Sequence, residues 1–156
     1  MDCFDQGHSC RPRLPGKGKA SERALSRLGI PCYYASKKSI IKEMVLRAMR
    51  LRADLEARGY PVMEVYPYAV KVRLWGRAIP KKTTPAGRAF LHQRLLALLP
   101  DLAALPRTPT HDEADALLVA YTAWLSERGL TEGLGDPEEG LIYLPLAGLL
   151  HDRPAK

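Results

Sequence analysis

The sequence predicts an α/β fold. Three observations point to it: a long run of helical period stands directly before a short apolar run of strand type, glycine and proline mark the joints between segments, and a second apolar run follows the last helix. At 156 residues the chain is long enough for one domain with a real hydrophobic core. Residues 1–20 read as an arm, 21–150 as a single α/β domain and 151–156 as a short tail.

The arm interleaves Gly7, Pro12, Pro15, Gly16 and Gly18 with Arg11, Arg13, Lys17 and Lys19, a mixture that suits neither helix nor strand. Residues 21–28 form a short helix with Ser21 as its cap and Gly29 as its stop. Over 38–58 the apolar residues Ile41, Met44, Val45, Ala48, Leu51 and Leu55 recur every three or four positions, the period of one helical face. Ser36 or Ser39 is available to cap that helix, and Gly59 and Pro61 prevent its continuation. Residues 60–66 then read as a buried central strand carrying Glu64. Pro67 suits the first turn of a short helix ended by Gly76, and a basic loop follows over 79–83. Thr84 and Pro85 open a helix that runs to Pro100, and Thr110 caps another whose apolar face is Leu117, Ala120, Tyr121, Trp124 and Leu125. Gly129 ends it, and residues 141–144 form a second strand.

The formal net charge is +7 and the isoelectric point about 9.5. Such a balance favours an anionic partner, nucleic acid above all, unless the charge is spread evenly as a solvated surface. The three cysteines, Cys3, Cys10 and Cys32, are odd in number and crowd the first fifth of the chain, so no disulfide framework is indicated. A reducing, cytoplasmic setting is expected. No apolar run approaches the roughly 18 residues of a membrane span, and the N-terminus lacks the apolar core of a signal peptide.

Glu64 is the most informative single residue, because it stands alone in the apolar run Val62-Met63-Glu64-Val65-Tyr66. A carboxylate buried there must be paired, protonated or bound to a metal, whereas one at a strand end simply meets water. A second acidic group, Asp112, Glu113 and Asp115, opens a later helix. Carboxylates in a first turn are favoured by the helix dipole alone. Asp115 differs, because it leans toward the apolar side of Leu118 and Trp124 and so needs a partner. Magnesium and manganese take hard oxygen ligands, often only one or two carboxylates with water and phosphate oxygens, and Glu64 with Asp115 would serve as part of such a site. Lys81 and Lys82 are assigned to phosphate contact from their charge.

Other constellations carry less. Cys3, His8, Cys10 and Cys32 are metal-capable but match no common zinc spacing. Gly16-Lys17-Gly18-Lys19 lacks the strand, the glycine offset and the hydroxyl residue of a phosphate loop, so a basic arm describes it better. No Gly-x-Ser-x-Gly elbow occurs, and covalent hydrolysis is unsupported. His111 beside Asp112 has the chemistry of a proton shuttle, although an exposed or capping histidine explains it more simply.

Three stretches together resemble the domain of unknown function 429 family, predicted nucleases with an RNase H-like fold. Residues 51–67, with Gly59-Tyr60-Pro61 and Glu64-Val65-Tyr66-Pro67, are similar to its helix, glycine, strand and acidic Tyr-Pro motif. Glu113-Ala114-Asp115-Ala116-Leu117 is similar to its acidic helix, and Gly135-Asp136-Pro137 through Leu144-Pro145 to its closing strand, with weaker similarity over 21–31. The resemblance implies a site in which carboxylates hold Mg²⁺ or Mn²⁺ for phosphodiester hydrolysis. Glu64 and Asp115 would be the metal ligands, with Glu113 as a catalytic helper. Family members begin with a further strand-rich segment bearing a first aspartate. Here Ser9 or a neighbour falls at that register, and Asp2 and Asp5 lie out of it. The resemblance thus implies an RNase H-like fold incomplete at its N-terminus, a metal site short of at least one ligand, and an open sheet edge that promotes self-association. The expected function is a metal-dependent nuclease, with truncation or inactivity of the chain as it stands left open. The alternatives are a non-catalytic nucleic-acid-binding protein using the basic residues from Arg11 to Arg27, or an oligomeric structural protein.

Overall fold

The computed structural model describes residues 18–35 and 38–150. The expected arm before Gly18, its Cys3, His8 and Cys10 cluster, the expected Ser36 cap and the 151–156 tail lie outside the described residues. The fold is mixed α/β: α1 (Ala20–Arg27), α2 (Lys42–Ala57), β1 (Glu64–Val65), α3 (Pro67–Trp75), α4 (Pro85–Leu98), a 3-10 turn (Pro100–Ala104), α5 (His111–Ser126), β2 (Thr131–Asp136) and β3 (Gly140–Pro145). The three strands form one sheet in the order β1-β3-β2. Among the described residues no helix is long and apolar enough to cross a membrane.

The described residues divide into two compact units, one comprising those up to Val62 with Gly135–Gly140, the other Met63–Leu134 with those from Leu141. In the first unit α1 is fixed by polar contacts. Glu22 is buried, yet its two oxygens accept the Lys19 N–H at 2.8 Å and the Ala35 N–H at 2.7 Å, so the buried carboxylate is satisfied by backbone donors. Glu139 accepts the Ala20 N–H at 2.6 Å. Gly135, at φ 120°, lies so close to α1 that a Cβ there would sit 2.7 Å from the Ser21 nitrogen. Only glycine fits both the conformation and the space.

The second unit holds most of the core. Ala69, Val70 and Leu74 of α3, Leu91 and Leu95 of α4, and Ala114, Leu118, Tyr121 and Leu125 of α5 are buried, with Ile142 and Leu144 of β3. α3 and α4 each pack on α5. β1 pairs in parallel with β3, Glu64 opposite Ile142 and Val65 opposite Tyr143. Arg73 of α3 reaches Glu132 of β2 at 2.6 Å.

Several expectations are corrected. The strand over 60–66 shrinks to two residues at the edge of the sheet, and β3 is central. Glu64 is therefore exposed rather than buried: the neighbouring run is apolar, but an edge strand leaves one side open. β2, which sequence reading missed, supplies the other edge; its Gly133 and Gly135 dilute any apolar alternation. Ser21 does not cap α1, since Lys19 holds that position and Ser21 is buried as the second residue of the helix. α2 starts at Lys42 after a turn in which Ser39 accepts the Ile41 N–H, and none of its residues is buried. Met44 and Leu51 are more than half exposed, so an amphipathic period does not guarantee a covered face.

Candidate functional site

α5 begins as its sequence dictates. Thr110 accepts the Glu113 N–H at 3.3 Å, and the Glu113 carboxylate accepts the Thr110 N–H at 2.8 Å, a reciprocal cap. Arg107 adds a two-pronged contact to the same carboxylate at 2.7 and 2.6 Å. The Arg107 hydrogen bond, then the Thr110 contacts, hold the Glu113 carboxyl down at about 2. Glu113 is thus an exposed capping residue, engaged locally, and the geometry gives it no part in the constellation described next.

Two residues further along, Asp115 projects from α5 toward α3. Its Oδ1 meets the Lys71 ammonium, and its Oδ2 meets the Lys82 ammonium at 2.8 Å. Burial pushes the carboxyl up, but hydrogen bonds from Lys71 and Lys82, reinforced by their charges, outweigh it and hold Asp115 below the ordinary range. The three groups differ in access: the side chains of Lys71, Asp115 and Lys82 are 3%, 19% and 41% exposed. Lys71 lies in the middle of α3 and is almost fully buried, whereas Lys82 stands at the surface.

Lys82 is placed by a tight turn. Thr84 donates both its N–H, at 2.9 Å, and its hydroxyl, at 2.7 Å, to the Lys81 carbonyl. The same Thr84 hydroxyl accepts the Gly87 N–H at 3.1 Å and caps α4. A Cβ at Gly87 would collide with the Lys81 carbonyl, so the absent side chain lets the turn lie against the helix start. Lys81 itself is exposed.

Of the residues singled out in the sequence, the structure brings together Asp115 and Lys82. Lys71 was missed, although a signal existed: it is a lone cation in the apolar run Ala69-Val70-Lys71-Val72, the same anomaly that drew notice to Glu64. Glu64 lies on β1, whose chain turns into α3 at Pro67, four residues before Lys71. His111 Nδ1 is 2.8 Å from Asp112 Oδ1, on the exposed start of α5.

As arranged, these residues do not fit a divalent cation. Both oxygens of Asp115 are occupied by ammonium groups, and two positive charges within hydrogen-bond distance repel a dication. Among the described residues no three His, Cys, Asp or Glu side chains converge in a way that would hold a metal. Two ammoniums against one carboxylate leave a surplus positive charge, which suits an anion. Compared with protein-family models, curated proteins and solved structures, the chain matches none.

Proposed function

We propose that the protein binds the phosphate backbone of nucleic acid through the surface turn that carries Lys81 and Lys82, beside Asp115. The observation that carries this reading is the composition of the cluster, two lysines on one carboxylate with the more exposed lysine at the surface next to a second exposed lysine. A phosphate oxygen is a strong acceptor for ammonium donors, and the overall charge of +7 would draw a polyanion toward the chain. Binding of this kind needs no metal and weakens steeply with salt.

A second reading, the metal-dependent nuclease of RNase H-like fold that the sequence resemblance implies, is favoured by one feature. Glu64 and Asp115 both belong to the second unit, and α3, which follows β1 at once, packs on α5. In that reading Asp115 would first have to give up Lys71 and Lys82, after which it and Glu64 would be the residues holding Mg²⁺ or Mn²⁺ for phosphodiester hydrolysis.

One set of measurements separates the two. Binding of a short fluorescein-labelled single-stranded oligonucleotide is followed by anisotropy in EDTA, alongside calorimetric titration with Mn²⁺. The binding reading expects affinity in EDTA that falls with salt and is weakened in K81A/K82A. Mn²⁺ uptake abolished by E64Q and by D115N, with cleavage of the oligonucleotide, would replace it with the nuclease reading.

A further inference from the structure

We infer that Asp115 restrains Lys82, so that an incoming phosphate must compete with the carboxylate for this ammonium. The inference rests on the binding reading above and adds to it a built-in competitor. Three observations support it.

The two ion pairs of Asp115 are unequal. Lys71 is almost fully buried and has the carboxylate as its counter-charge, so that pair is permanent while the unit is folded. Lys82 is 41% exposed, and an ion pair so open to water is weak and exchangeable. The fold of the Lys82 turn is also independent of the pair. It is closed by the Thr84 contacts to the Lys81 carbonyl and seated on α4 through Gly87, so the long side chain can swing from Asp115 while its backbone stays in place. Finally, Asp115 keeps Lys71 when Lys82 departs. The carboxylate is left paired rather than stranded, which lowers the cost of release.

Lys82 therefore has two positions available from one fixed backbone: folded back on Asp115, or extended beside Lys81 toward a phosphate. The carboxylate raises the threshold that an anion must pass, and a multivalent anion such as a nucleic-acid strand, which engages both lysines at once, passes it more readily than a single phosphate.

Anisotropy with the labelled oligonucleotide in EDTA, at fixed salt, tests this. K82M is expected to weaken binding. D115N is expected to tighten it by roughly two- to fivefold, the change that corresponds to removing one exposed ion pair. D115N strands Lys71, so the double variant K71M/D115N, which replaces the buried charges by neutral groups of similar length, provides the same comparison in a chain expected to fold. Native-like far-ultraviolet circular dichroism qualifies each variant. If K82M weakens binding but the folded variants lacking Asp115 bind no more tightly than the parent, the restraint is refuted and the binding reading stands. If neither Lys81 nor Lys82 affects binding, the binding reading falls and takes the restraint with it.

Discussion

At the residue scale, Asp115 is the counter-charge of two lysines, one buried and one at the surface. Removing the only counter-charge of a buried group leaves it stranded in a low-dielectric interior, so D115A, which strands Lys71, should lose about 3–5 kcal/mol in urea unfolding, and K71A, whose carboxylate keeps Lys82, should lose less. K71M/D115N should lose much less than the sum, because no buried charge remains. The pH dependence has a defined sign. The folded carboxyl of Asp115 is held below its ordinary value, so its stabilisation is present above the unfolded pKa and disappears as pH falls through the folded one. Glu113 behaves alike: its contribution is present above the ordinary 4.5 and fades as pH drops toward about 2. E113Q should flatten the acid limb of stability against pH over that interval, measured by denaturant midpoints from neutral to acid. An unchanged limb would mean that the contact to Arg107 does not persist in solution.

At the element scale, the helices divide into those held by packing and those held by their ends. α5 is both: it is capped reciprocally by Thr110 and Glu113, and it buries Leu118 completely. L118A should therefore cost about 2–5 kcal/mol through lost contact and a cavity. α2 buries no residue, and its exposed Leu51 should accept glutamate with a change within about 0.5 kcal/mol in the same unfolding assay. The turn before α4 is where stability and the candidate site meet. T84A removes a cap worth about 1 kcal/mol and loosens the contacts that fix the Lys81 carbonyl. It should thus weaken oligonucleotide binding as well as stability, whereas loss of stability alone would show that the turn does not place Lys82.

At the scale of the whole molecule, charge governs the expected partner. For a single strand, the logarithm of the binding constant falls against the logarithm of salt by about 0.7 per neutralised phosphate. K81A/K82A should reduce that slope by about 1.4 if each lysine meets one phosphate. An identical slope with weaker binding would place the phosphate contacts elsewhere on this basic chain.

Much of the architecture was written locally. Thr84-Pro85 and Thr110 cap the helices they were expected to cap, because capping depends on residues within one turn. The α/β class followed from apolar period and punctuation for a similar reason. The status of Glu64 was not legible, since an apolar run does not say whether its strand is central or, like β1, a two-residue edge. Nor was the pairing of Asp115, whose partners lie 44 and 33 positions earlier in the chain. The sequence determined that a carboxylate on α5 would need a counter-charge. Only the packing of α3 on α5 and the turn before α4 decided that two lysines would supply it, because burial and Coulomb attraction depend on distance in space and not on separation along the chain.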